Sequence, residues 1–547
     1  MGVRSRLYNS LKWAWQPIGS WPSDAKPPRG RDDGPIRKSN PAQYRGFSGA
    51  DASRLTADWH NTGTSADAEI QGRLPRLRNN ARAMVRDSPY APQLKRLYRD
   101  NIVGPAGVQL AMKVQRVRGS SLDEAANTSI ETAWKRWGRA DSCDVCGEAS
   151  FLQMQWHSAT SQVDSGEFLA RFVRQAFGKD NKIPLAIEMI EPDQLDLMYV
   201  GALQSPENYW RLGIERNKWG RAVNYAILCS HPGDYLSTGQ AVANRRKHEI
   251  IPAADMIHVY FRDRIKQSRG YPVLSPIMAD AHQVDGYESA VTVRARGAAA
   301  IMGFIETPEL EGDGTIGEGE AAQQVMDVEP GTWRRLNPGE KPVLPDIKAP
   351  DAQYEMFVKN KGKRYAAGTG VSYSTLTRDA GEASYSSERQ QYLQDQDAWS
   401  VLQTMEIDQF VDRVFREWLP LAVLAGQVQA PDFELRPNRY FDAVEWQPRG
   451  WSWVDPEKEA KAYGLMEGAG YISKMQVCAK LGTDYETVLK NRARQRALEA
   501  QYGDSVPIGG IPAAVAAVGL PPVGAPPPAT AAGDQPPTEA TPAFAAA

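Results

Sequence analysis

Cysteine, histidine, net charge and long apolar runs are all scarce in this chain of 547 residues. Four cysteines cannot form a disulfide framework for so long a sequence, which points to assembly in a reducing, intracellular environment. No uninterrupted apolar stretch approaches the roughly 20 residues that span a bilayer. The N-terminal MGVRSRLYNSLKWAWQPIGSW lacks the apolar core of a signal peptide. The expectation is a soluble protein, or part of a soluble assembly, with no membrane partner. Lys and Arg number 64 against 66 Asp and Glu, a net charge of -2, so any nucleic-acid surface has to be local. There is no Walker A lysine loop and no Gly-x-Ser-x-Gly elbow; the six histidines are scattered. No carboxylate pair stands out as acid and base, so neither catalysis nor a cofactor is expected.

Two short patterns imitate functional motifs. Gly312 to Gly317 (GDGTIG) has the letters of a dinucleotide loop, yet a phosphate cradle needs backbone N–H groups facing an anion at a helix start. Glu309, Glu311, Asp313, Glu318 and Glu320 crowd it and would repel a phosphate. The spacing is not that of a calcium loop either. Cys143 and Cys146 form a CxxC pair, but zinc needs two further ligands and no second CxxC or HxxxH exists. Cys229 with His231, or His157, could join them only through the tertiary fold. Free thiols and a solvated acidic loop are the favoured readings.

What the chain does contain is length, enough for two or more domains, and fifteen tryptophans, which either fill a core or anchor interfaces. Residues 1–49 are rich in Pro, Gly, Arg and Lys and read as an irregular arm. A helical stretch follows with Arg73, Arg76, Arg78, Arg82 and Arg86; it reads as a solvated face, with contact to DNA or acidic partners as the alternative. Helices are expected over 121–137 and 151–163. Alternating β-rich runs (EFLARFVRQ, LAIEMIEPDQLD, YWRLGIERNKWGRAVNYAIL, DMIHVYF) then succeed one another, with NKWGR as a hairpin turn. Helices and strands mix without regular βαβ alternation, so the fold class is α+β. Residues 273–302 form a long helical candidate of roughly 45 Å, followed by a Gly- and Pro-rich stretch of short extended pieces. Asp455-Pro456 is a good helix start. Beyond residue 503 the chain is almost uncharged Ala, Pro and Gly, a composition that does not build a core.

Residues 351–424 are the segment to which the rest relates. A helix carries the basic cluster Lys359, Lys361, Lys363 and Arg364. A polar break holds Gly368, Gly370 and Gly381 among Ser372, Ser374, Thr375 and Thr377, as suits a mobile loop. A second helix runs from about Tyr385 to Leu419, with Trp399, Leu402, Phe410, Val414 and Trp418 at helical spacing. Pro420 is expected to end or kink it. At 100° per residue Lys359 and Lys363 share a face while Lys361 and Arg364 point elsewhere. Phosphate contact and salt bridges to neighbouring subunits are both open for this cluster.

The run GVSYSTLTRDAGEASYSSER (370–389) resembles the signature of the lambda-like family of tailed-phage portal proteins. Further motifs follow in the same order: Arg78-Asn79-Asn80 before a helix, a VGPAG turn in place of the usual VGxG, IEPDQLD, GRAVNYAI, and the Trp451-x-x-Val-Asp-Pro opening with its LGTDYE close. The resemblance covers about residues 50–500. It implies a portal fold assembled as a ring of about twelve copies. The divisions would be a flexible arm (1–49), the first part of an α/β wing (50–267), an outward stem helix (268–302) and a small β-containing clip (303–349). Next would come a return stem helix (350–370), a channel loop (371–384), a long helix with the remainder of the wing (385–450), a helical crown (451–503) and a disordered tail (504–547). Double-stranded DNA would be packaged, retained and ejected through the ring without sequence preference. Implied partners are the terminase large subunit, the major capsid protein and scaffold, and a head-completion or adaptor protein. The site would be the virion's portal vertex, reached from the host cytoplasm during assembly. Lys359, Lys361, Lys363, Arg364, Ser374, Thr375, Thr377 and Arg378 are the DNA-channel candidates. A metal-dependent nuclease and another head-tail connector ring are the alternatives.

Overall fold

Ser, Asp and Pro residues punctuate the chain, and most helices begin at one of them. The computed structural model describes residues 63–116, 121–235, 247–300, 304–306, 341–343, 354–379, 381, 384–451 and 455–502. The expected arm (1–49) and tail (504–547), and most of the expected clip (303–349) with its acidic 309–320 loop, lie outside the described residues. Helix α1 (Ala66–Gln71) starts at Ser65, whose side chain accepts from the Ala68 N–H. Helix α2 (Leu74–Asp87) carries a proline in its first turn, and α3 (Tyr90–Tyr98) widens into a π turn over Arg99–Val103 that stops at Gly104, with φ +72°. Strand β1 (Gln109–Met112) precedes α4 (Glu124–Trp137), capped by Asp123. Helix α5 (Phe151–Asp164) opens with a reciprocal Ser150/Gln153 capping box.

Seven strands follow: β2 (Glu167–Val173), β3 (Ala186–Ile190), β4 (Tyr209–Arg211), β5 (Ile214–Arg216), β6 (Ala222–Leu228), β7 (His248–Pro252) and β8 (Met256–Tyr260). They form two antiparallel sheets, ordered β3-β2-β8 and β4-β5-β6-β7. The NKWGR segment is the β5–β6 turn, closed by the Gly220 N–H donating to the Asn217 carbonyl at 2.8 Å. Helix α6 (Met278–Ala300) starts beyond Pro272 and Pro276 rather than with them. In the clip region β9 (Phe304–Glu306) pairs antiparallel with β10 (Lys341–Val343). Helices α7 (Tyr354–Thr369), α8 (Tyr373–Thr377), α9 (Tyr385–Glu406) and α10 (Asp412–Leu424) come next. Strand β11 (Val444–Gln447) returns to pair with β1, Gln109 opposite Gln447. Helices α11 (Pro456–Gly468), α12 (Lys474–Lys480) and α13 (Tyr485–Tyr502) close the described chain. Helices and antiparallel sheets are thus mixed, as α+β requires. Contacts divide the chain after Thr64, and the elements named here all belong to the second unit.

Tryptophan is mostly spent on the core. Trp134 stacks on Trp137 (5.1 Å between ring centres) and meets Trp418 (5.0 Å) and Phe415 (5.6 Å) edge-on. The Trp137 ring N–H donates to the Leu185 carbonyl at 2.8 Å, which satisfies its one polar atom. This packing corrects one expectation: Pro420 does not end the long helix, which continues to Leu424 after a π turn over Ile407–Val411. Proline inside a helix costs about 3 kcal/mol, but α10 buries Val414, Phe415, Trp418, Leu419 and Ala422 along one face. Each such side chain contributes about 1.5–3 kcal/mol, so burial outweighs the proline.

A second correction concerns the arginine-rich helix, which is not simply a solvated face. Arg73, Arg76 and Arg86 are exposed, but Arg78 is buried and its Nη2 lies 2.5 Å from Glu167 Oε1. Arg82 pairs with Asp193 at 2.5 Å. Glu167, itself fully buried, also accepts from Arg269 Nε (2.8 Å), the Gly270 N–H (3.0 Å) and the His258 ring (3.0 Å). Burial alone would raise the Glu167 pKa; Arg269 and Arg78 more than offset it, and the carboxyl lies well below its usual range. Its contribution to stability is therefore present at neutral pH and is lost as pH falls below the unfolded value of about 4.3. Glu167→Gln should cost about 3–5 kcal/mol in urea unfolding, because two buried guanidiniums lose their counter-charge; a loss under about 1 kcal/mol would show that the arginines find other partners.

Candidate functional site

The basic helix α7 is held against α6 by charge. Asp280 on α6 accepts from Lys361 Nζ (3.2 Å) and pairs with Arg364 Nη2 (2.7 Å). The Lys361 hydrogen bond and the Arg364 charge keep the Asp280 carboxyl below its ordinary range. Lys359 pairs with Glu355 one turn away, at 2.9 Å. So the salt bridges left open for this cluster lie within the chain for three of its four members. Lys363 is exposed and has no ion pair among the described residues. Arg364 keeps most of its side chain in solvent, 69% exposed, despite its partner.

The polar break is more ordered than its composition implies. After Gly370 (φ +71°), Ser372 precedes the short helix α8 without a side-chain cap bond of its own, and Asp395 of α9 organises that turn. Its buried carboxylate accepts from the Ser372 N–H (3.0 Å), the Ser372 hydroxyl (2.7 Å) and the Thr375 hydroxyl (2.9 Å). Leu376 is buried beside Tyr365, Ala366, Val371 and Trp399 in a core shared with α3 and α6. Tyr98 meets Trp399 edge-on at 5.2 Å. The expected mobile loop is therefore a braced turn over residues 370–379. Thr375 faces inward and Thr377 donates to the Tyr373 carbonyl at 2.8 Å. Ser374 is half-buried beside an open cavity of about 380 Å³ that Arg378, Tyr385 and Arg389 also line. Arg378 sits exposed in the left-handed region, φ +60°, where the chain leaves α8. Of the eight candidates, Lys363 and Arg378 are exposed cations with no ion pair among the described residues, and Arg364 is exposed but bound to Asp280; the others are engaged or half-buried within the chain.

The remaining motifs fall away from chemistry. Cys143 is buried beside the Ala149 carbonyl, and burial with the nearby Asp144 raises its thiol to about 12. Cys146 is exposed, and all four cysteines are free. Among the described residues, Glu191, Asp193 and His231 come close enough to share a cation, but Arg82 already occupies that place against both carboxylates. Sequence reading missed Asp280, Asp395 and Glu406, because single acids in helices carry no pattern. Glu406 is buried where α9 meets the π turn; its one partner is the Ser158 hydroxyl at 2.8 Å, and its other oxygen has none.

A sequence profile of phage portal proteins of the lambda family matches residues 52–403. This chain belongs to that family. The probable portal protein of Halomonas phage phiHAP-1 is 29% identical over 468 residues, spanning 84% of this chain and 86% of that protein. Portal protein B of Escherichia phage lambda is 25% identical over 510 residues, spanning 84% and 91% respectively. Among solved structures, a chain from the virion of a native gene transfer agent particle covers 75% of this portal chain and 93% of its own length, at 11% identity and a TM-score of 0.40. The resemblance carried by GVSY and YSSER is thus correct, and the chain is a portal protein of a tailed phage. In this portal chain the family signature coincides with the braced turn and its Asp395 anchor.

Burial raises the Glu406 pKa to about 8. A raised folded-state pKa means a contribution that is full below about pH 4.3 and is lost as pH climbs toward 8. The melting temperature should therefore fall between pH 5 and pH 8, and Glu406→Gln should flatten that slope. An unchanged slope in the variant would place the pH dependence elsewhere.

Proposed function

We propose that this portal protein assembles as a ring of about twelve copies at one vertex of the capsid, with α6 and α7 as the stem and residues 371–384 at the channel. The observation that carries this reading is the paired α6–α7 helices, joined through Asp280, leading straight into a turn anchored on the long α9. That arrangement holds Lys363, Arg364 and Arg378 on a rigid frame. Repeated around an axis, these few cations would touch phosphates without reading bases. Sparse contacts of this kind allow DNA to slide. The clip, 303–349, would take the terminase large subunit first and a head-completion or adaptor protein later. The wing (50–267 with 385–450) would face the major capsid protein and, during assembly in the host cytoplasm, the scaffold.

Uncovered apolar surface also supports a multi-chain state. No residue of α11 or α12 is buried, and Leu465 (76%) and Tyr471 (81%) stand in solvent. Neighbouring copies in a ring would cover such a crown. No observation favours the nuclease alternative, since the CxxC pair is split between core and surface.

Negative-stain electron microscopy with mass photometry of the purified protein should give rings of about a dozen subunits with a central hole. Lys363→Ala with Arg378→Ala should leave those rings intact and reduce DNA packaging or retention severalfold. Normal packaging by the double variant would remove these side chains from the channel. Substitution is a cleaner test than deleting 374–384, since the deletion takes away Thr375 and Leu376 and strips Asp395 of a partner.

A further inference from the structure

Between the β5–β6 hairpin, the end of β8 and helix α10 lies an open pocket of about 710 Å³. Four arginines line it: Arg216 and Arg221 from the hairpin, Arg262 just past β8, and Arg413 from α10. No Asp or Glu lines it. Elsewhere in the same sheets arginines find carboxylates: Arg171 pairs with Glu249, Arg174 with Glu417 and Arg211 with Asp67. The pocket arginines instead rest on neutral groups. Arg216 donates to the Gly220 carbonyl (2.7 Å), Arg413 to the Ala253 carbonyl (2.8 Å), and Arg262 to the Tyr260 hydroxyl (2.9 Å). The Nε of Arg216 is buried with no acceptor at all. Tyr225 and His258, whose side chains are almost wholly covered, also line it; one His258 ring nitrogen lies 3.0 Å from the buried Glu167 and the other 3.5 Å from the Tyr225 hydroxyl.

Unpaired guanidinium forks around a concavity are the geometry that carboxylates and phosphates satisfy in pairs of hydrogen bonds. A duplex presents its phosphates on a convex cylinder and would reach the rim, not a buried Nε. A lone inorganic anion would leave most of such a volume to water. A peptide can insert acidic side chains and fill the remainder with its backbone. We propose that this pocket is a binding site for an acidic polypeptide segment, with one carboxylate on Arg216 and Arg413 and another at the rim on Arg221 and Arg262. The proposal rests on the pocket alone and stands apart from the ring and its channel.

Fluorescence anisotropy of a labelled hexaglutamate peptide against the full-length protein tests it. Saturable binding is expected, weaker by about tenfold or more in Arg216→Gln/Arg413→Gln and unchanged in Arg492→Gln, an exposed arginine on α13. Thermal melts check that the double variant is folded; should it not be, Arg221→Gln/Arg262→Gln, which alters the rim, should show the same loss. Equal affinity in either folded variant overturns the proposal. An oligothymidylate that displaces the peptide at lower concentration than unlabelled hexaglutamate overturns it in favour of single-stranded nucleic acid, and inorganic phosphate doing so reduces the pocket to a small-anion site.

Discussion

One buried carboxylate ties together the first helices and the sheets of this portal protein. Glu167 opens β2, and around it meet Arg78 from α2, His258 from β8 and Arg269 from the segment that leads to α6. The arginines extend the junction, because Arg78 and Arg269 also donate to the carbonyl of Pro192, and Arg269 to those of Leu195 and Leu212. Five stretches distant in sequence are thus tied to one charge. A hydrophobic cluster of equal volume would stabilise as well, since burying ions costs desolvation. What the charged junction adds is direction. Forked hydrogen bonds at fixed angles set how the chain leaves β8 for α6, which a greasy contact leaves looser.

The same logic recurs between α6, α7 and α9, with smaller stakes. Asp280 joins α6 to α7 through Lys361 and Arg364, and Asp395 joins the family-signature turn to α9. In each case a single acid on one helix gathers donors from the next segment. The apolar core beneath, with Tyr98 on Trp399 and Leu376 buried nearby, supplies most of the stability. The acids choose among the packings this core would tolerate.

That division explains how much the sequence disclosed. Helices with cap signals and periodic apolar positions were legible, as were the β-rich runs and the Asn217–Arg221 turn, because their causes are local. The helical spacing of Trp399, Leu402, Phe410, Val414 and Trp418 marked the buried face, with Leu402 only partly buried. Pro420 misled, because its cost is local while the burial that overrides it comes from α4 and α5, more than two hundred residues away. Arg78 misled for the same reason: its sequence neighbours resemble a solvated helix, and Glu167 lies across the fold. The candidate site was legible as a basic helix followed by a polar break. Which cations remain free was not, since that depends on where Asp280 and Glu355 stand.

The chain's remaining inconsistency is at its far end. Helices α11 and α12 carry good caps at Asp455 and Ser473, yet bury nothing. Isolated helices of this length are marginal in water, and an amphipathic face normally has to pack to hold them. Their tie to the rest of the protein is polar: Arg389 reaches Glu459 at 3.3 Å, and Lys113 holds Asp484 at 2.8 Å. The Arg389 bridge is partly exposed and contributes about 1 kcal/mol or less; the Lys113 bridge is more sheltered, and neither covers Leu465, Tyr471 or Leu489. The local signals specify helices, while the apolar surface at Leu465 and Tyr471 is left for packing that these helices do not supply themselves.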